Sequence, residues 1–167
     1  CGETLVGIYS NAVSLSEAVM LFGSSLALVQ YSSLSNNEDD SSSKQFSWKM
    51  SKINGIFTAL ALLVLCLLPS EVYSFIFGKG FEEISQAIRI LSIGVLPLSI
   101  ASNFTQYFYA KGNFKISTFA SIIGLVITII AGLILIPKYQ LQGAAFTATL
   151  SYFTTFAIEF YFFVFRK

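Results

Sequence analysis

The sequence predicts an all-α fold, a polytopic transmembrane helix bundle, and three observations carry that reading. Of 167 residues, 54% are hydrophobic, 16% aromatic and only 11% charged, with a mean hydropathy of +0.71, too apolar to cover a soluble domain. Several apolar runs reach the roughly 20 residues that a helix needs to cross a hydrocarbon core about 30 Å thick. None shows the strict alternation of a membrane barrel, which leaves helices as the spanning structure.

Five spans follow in order. The first, residues 10–31, is the most polar, holding several serines and Glu17 within NAVSLSEAVMLFGSSLALVQY. The second, 53–77, is apolar all round in TALALLVLCLLP. The third, 84–109, contains Pro97 and is expected to bend there, because proline removes one helical hydrogen bond that neighbouring helices can replace. The fourth, 117–136, stops at Pro137, and the fifth, 143–165, ends before Arg166 and Lys167.

Loop charge sets the expected orientation. If the break after the first span is cytoplasmic, that side receives Lys44, Lys49, Lys52, Lys111, Lys115, Arg166 and Lys167, seven of the ten basic residues. The positive-inside rule then places the C-terminus in the cytoplasm. Residues 35–52, largely within SLSNNEDDSSSKQFSWKM (residues 33–50), form a cytoplasmic loop with a flexible Ser-rich acidic middle and an amphipathic end. An odd number of spans puts the N-terminus outside, yet no initiator Met or signal peptide precedes Cys1. The sequence therefore reads as the C-terminal piece of a larger protein. A lipoprotein start at Cys1-Gly2 is the weaker reading, since five spans make a lipid anchor redundant. Cys66 reads as a small buried apolar residue.

The third span carries the candidate site. Stepping by three and four from Arg89 gives Ser92, Leu96, Ser99, Asn103, Gln106 and Ala110, so one face is polar nearly from end to end. Lipid cannot satisfy Arg, Asn or Gln, so this face must meet protein or water. Two readings stay open: interhelical hydrogen bonds with Arg89 snorkelling to the headgroups, or the wall of a hydrated cavity. Glu17 and Arg89 enter from the same side, about 10 and 8 Å deep at a rise of about 1.5 Å per residue, so they can pair. Such a pair would either line the cavity or merely fix packing.

Elsewhere the pattern favours packing. Ser117, Ser121, Gly124, Thr128 and Ala131 form a stripe of small side chains, as do Ala144, Ala148, Ser151 and Thr155, and such stripes let helices approach closely. Glu159 follows the second stripe, either pairing with cytoplasmic Lys or Arg or, less favoured, coupling protons. YFFVF at the end is an interfacial anchor. Glu82 and Glu83 read as a solvated helix start. With no His and no acidic loop cluster, no metal or other cofactor is expected, and no P-loop motif is present. The outer loops GKGFEE and PKYQLQ are too short to house a catalytic centre, so the chain is not expected to be an enzyme.

The ordered segments VGIYSNAVSLSEAV, the Ser-rich loop, FGKGFEEISQAIRIL, FYAKGNFK and LIPKYQLQGAAFTATLSY resemble the polysaccharide (O-antigen type) flippases of the bacterial inner membrane. These belong to the multidrug/oligosaccharidyl-lipid/polysaccharide exporter superfamily, with the multidrug extruders and lipid II flippases. The resemblance covers nearly the whole chain and matches the last five of about twelve helices in a two-lobed carrier. One departure is Gln140, where the family commonly has Gly before G-A-A.

The resemblance implies most of one lobe, facing a missing N-terminal lobe across a cavity that opens alternately to either side. It implies a lipid-linked oligosaccharide, held by its polyprenyl diphosphate, as cargo and membrane lipid as surroundings, with no nucleic-acid partner. Arg89 would attract the diphosphate. Ser92, Ser99, Asn103, Gln106 and Glu17 would share the substrate path, and Lys111 and Lys115 would recruit substrate from the cytoplasmic side, although positive-inside charge is their commoner role. The alternative functions are a multidrug or cation antiporter, which needs a titratable cavity carboxylate such as Glu17, and, less favoured, a membrane-embedded enzyme or scaffold.

Overall fold

A computed structural model describes residues 3–37, 39–78 and 83–165. Cys1, Lys79, Glu82, Arg166 and Lys167, which enter the arguments on termini and charge, lie outside the described residues. Among those described, the chain forms only helices: α1 (Glu3–Ala18), α2 (Met20–Ser35), α3 (Asp40–Leu67), α4 (Ser70–Phe77), α5 (Ile84–Ala110) and α6 (Phe114–Phe165). The predicted helical bundle is what forms, with α3, α5 and α6 each long and apolar enough to cross a membrane.

The first predicted span is two helices. α1 and α2 meet at Val19 with a bend of 41°, so the polar first half and the apolar second half leave along different axes. Four residues beyond the bend, Gly23 lies against Asn54 of α3, where a methyl group would stand 2.3 Å from the amide oxygen. Only the smallest side chain permits that approach.

The second span also differs from expectation. α3 begins at Asp40, because the Asp39 carboxylate accepts hydrogen bonds from the backbone N–H groups of Ser41 and Ser42 at 3.1 and 3.2 Å, satisfying donors that a helix start leaves open. The Ser-rich stretch expected to be flexible is therefore helical. Ser43, Ser47, Ser51, Asn54, Gly55 and Thr58 recur at helical spacing and are all buried, so small side chains let α3 pack closely. At the other end Pro69 breaks the expected 53–77 span, and α4 follows as a separate short helix.

α5 is the centre of the bundle, packed against α1, α2, α3, α4 and α6, with Pro97 buried within it. α6 folds back on itself. At Gln140 the backbone leaves helical geometry, with φ 47° and ψ −116°, dividing a first arm (114–139) from a second (141–165). The arms are antiparallel: Ser151 Oγ donates to the Gly124 carbonyl at 2.9 Å, and a methyl group on Gly143 would stand 2.2 Å from the Leu135 carbonyl oxygen. The two small-residue stripes meet here, as packing requires. The outer side of the hairpin exposes Leu125, Ile129, Ile130 and Leu133, a surface suited to lipid.

One end of the bundle is aromatic. Phe104 and Phe163 stack with centroids 4.4 Å apart, Tyr107 meets Phe163 edge-on at 5.1 Å, and Trp48 stacks on both phenylalanines at about 6 Å. Phe163 is thus a core residue, while Tyr161 and Phe165 on either side are exposed. Only part of YFFVF is placed as an anchor.

Candidate functional site

The polar face of α5 divides near Pro97. Towards the N-terminal end Arg89 is exposed, one turn in from the start of the helix that is otherwise the most enclosed in the bundle. Ser92 is half-buried, donating to the Ile88 carbonyl at 2.7 Å and lying 3.3 Å from Cys66 Sγ. Arg89 makes no ion pair with Glu17. The half-buried Glu17 carboxylate instead accepts a hydrogen bond from the Tyr152 hydroxyl, tying α1 to the second arm of α6.

Beyond Pro97 the same face is covered by this chain's own helices. Asn103 is fully buried, donating from Nδ2 to Gln30 Oε1 at 2.7 Å and accepting at Oδ1 from Asn54 Nδ2 at 2.8 Å. Gln30 Nε2 donates to the Asn103 carbonyl at 2.8 Å and to Ser47 Oγ at 3.1 Å. Asn54 Nδ2 also donates to the Ser99 carbonyl at 2.7 Å, and its oxygen accepts from Thr58 at 3.3 Å. Three amides from α2, α3 and α5 thus satisfy one another, the arrangement that makes buried polar groups tolerable in a membrane. Ser99 is buried, its hydroxyl donating to the Leu96 carbonyl at 2.8 Å. Gln106 is half-buried.

Gln30 and Asn54 escape a sequence reading that places both near span ends. Their helices extend well beyond those ends, to Ser35 and back to Asp40, so both amides lie inside the bundle. The signal was present: Ser43, Ser47 and Ser51 in what reads as a loop recur at helical spacing and run on into Asn54 and Thr58 of the predicted span.

At the basic end, Lys111 is turned inward. Its ammonium donates to the Asn37 carbonyl at 3.0 Å and lies 3.9 Å from Asp40 Oδ1, which also accepts from the Tyr107 hydroxyl at 2.8 Å. This ties the end of α5 to the turn between α2 and α3. Lys115 is exposed. Between α3, α5 and the second arm opens an apolar groove of about 370 Å³ walled by Trp48, Ile56, Ile100, Phe104, Phe156 and Phe160.

Glu159 is buried on the second arm, with both carboxyl oxygens 2.8 Å from Thr105 Oγ1 of α5. It forms no ion pair among the described residues; the basic C-terminal pair Arg166 and Lys167, from which a link with a cytoplasmic cation was expected, lies outside them.

Fold and site together define an integral membrane helix bundle that encloses a buried amide network within an apolar core and presents a lipid-compatible surface. The chain belongs to the lipid II flippase MurJ family, whose sequence profile matches residues 3–167. It is 30% identical over 165 residues to the capsular polysaccharide biosynthesis protein CapF of Staphylococcus aureus, covering 97% of this chain and 42% of that protein. It is also 31% identical over 107 residues to the uncharacterized membrane protein MJ1068 of Methanocaldococcus jannaschii, covering 64% of this chain and 21% of that protein. A second protein of that organism, the uncharacterized membrane protein MJ1375, is 25% identical over 152 residues, or 91% of this chain and 36% of its own length. The chain spans less than half the length of these relatives, and no solved structure matches it.

Proposed function

We propose that this chain is most of the C-terminal lobe of a flippase that moves a polyprenyl-diphosphate-linked oligosaccharide across the bacterial inner membrane by alternating access, without covalent chemistry. The physical need is plain: sugars and a diphosphate cannot cross hydrocarbon unaided, whereas the lipid tail can stay in it. Membership of a lipid II flippase family supports transport of a lipid-linked saccharide, and the CapF likeness supports polysaccharide precursors as the class. On the positive-inside argument the basic end, with Lys44, Lys115 and the C-terminus, faces the cytoplasm.

The observation that carries the reading is Arg89, an exposed guanidinium one turn inside the central helix. Its fork geometry matches diphosphate oxygens. In this proposal Arg89, Ser92 and Gln106 border the substrate path, Glu17 orients the first span through Tyr152, and Lys115 draws anionic substrate to the membrane. Ser99 and Asn103 act from behind, holding α5 in place through the amide network, and Lys111 closes the α2–α3 turn.

The test uses the full-length protein. Arg89→Ala is expected to abolish delivery of glycan to the outer leaflet while membrane abundance stays normal. Arg89→Lys should recover only part of it, because an ammonium lacks the planar fork. Unchanged delivery in Arg89→Ala would remove Arg89 from the mechanism.

A further inference from the structure

One ionisable group has no part in holding or guiding a diphosphate. Glu159 lies six residues before the last described residue of α6, about 9 Å along the helix, and is 2% exposed. A carboxylate so enclosed is stable only if a cation faces it or if it is neutral. Among the described residues, the charged groups on neighbouring elements are engaged elsewhere or exposed. On α3, the Lys44 and Lys52 ammonium groups lie over the rings of Phe163 and Trp48, each 5.5 Å from the centroid. On α5, Lys111 turns to Asn37 and Asp40; on α1, Glu17 is bonded to Tyr152; on the first arm, Lys115 is exposed.

The contacts Glu159 does make are with hydroxyls. Thr105 Oγ1 is 2.8 Å from Oε1 and 2.8 Å from Oε2. A threonine hydroxyl carries one hydrogen, so it donates fully to one of these oxygens. The second contact is an equally good hydrogen bond when the other oxygen carries a proton and donates back to Thr105, closing a ring in which each O–H is used once. Ser117 on the first arm brings a second buried hydroxyl to this carboxyl, and its Oγ has no other hydrogen-bond partner among the described residues. It can donate to the carboxylate more strongly if the proton leaves.

We propose that Glu159 is a proton-binding site, neutral while α5 and both arms of α6 are packed as here, which releases its proton to water when that packing opens. The proton returns as the packing closes. Coupling of this step to translocation rests on the flippase reading; the proton site itself does not.

Two measurements on the full-length protein in lipid vesicles test it. Infrared difference spectra at neutral pH, wild type minus Glu159→Gln, are expected to show a protonated carboxyl C=O band that shifts in deuterium oxide. Absence of the band, with the near-isosteric variant folded, would overturn the site. Flipping of a fluorescent polyprenyl-diphosphate disaccharide is then followed with and without an imposed pH gradient. The gradient is expected to change the wild-type rate severalfold and leave the Glu159→Gln rate unaffected; an equal response in both would overturn the coupling. Vesicles that flip nothing under either condition would refute the flippase reading and the coupling with it, while the infrared band still decides the proton site.

Discussion

Gln140 takes a backbone conformation that side chains other than glycine rarely adopt, with φ 47° and ψ −116°, at the position where the resemblance to the flippases leads one to expect glycine. The departure from the family pattern thus falls at the turn of the α6 hairpin, and the turn geometry is kept at the expense of local strain. Such positions cost about 1–3 kcal/mol. Gln140→Gly is therefore expected to stabilise the protein by about 1 kcal/mol, part of the strain relief being offset by the glycine's added freedom when unfolded. Thermal denaturation in detergent checks this; an unchanged or lowered midpoint would mean the turn is not strained. Asn103 shows the limit of reading residues singly. Its amide is visibly out of place in an apolar run, yet whether it meets water, cargo or other amides depends on Gln30 and Asn54, distant in sequence.

At the level of elements, the clearest difference from expectation is the beginning of α3. Composition alone makes NNEDDSSSK a flexible loop, but Asp39 caps a helix there and the serines form its packed face. Asp39→Ala is expected to cost about 1 kcal/mol. Hydrogen exchange should locate the loss at the first turns of α3, with faster exchange at residues 41–44 and unchanged protection at the centre of α5. Uniform loss of protection would show that the cap supports more than its own helix. The breaks at Val19 and Pro69 differ in legibility. Proline announces the second, whereas nothing in the local sequence announces the 41° bend at Val19, which accompanies the approach of Gly23 to Asn54.

For the whole molecule, the amide network joins α2, α3 and α5 into one unit. Removing one amide leaves its partners unpaired in a medium that offers no replacement. Asn103→Ala and Asn54→Ala are each expected to destabilise by about 1–2 kcal/mol, and the double variant by clearly less than the sum, since both remove the same contact. Strict additivity in denaturation midpoints would mean that the network is not cooperative. In the transport assay, Asn103→Ala should reduce delivery in proportion to lost protein, whereas Arg89→Ala should reduce delivery per molecule. That contrast separates a positioning residue from one that touches cargo.

The sequence by itself determined that the chain is helical and membrane-embedded, the approximate course of its apolar runs, the polar face of the third span and a flippase-type family. These rest on hydropathy and on motif order, which are properties of residues taken along the chain. Only the tertiary structure decided that the polar face of α5 splits at Pro97, leaving Arg89 exposed and enclosing Asn103, and that Glu159 meets Thr105. A polar side chain in a membrane must find a partner, and the demand is written locally; which partner answers it is settled by the helices that happen to cross at that depth.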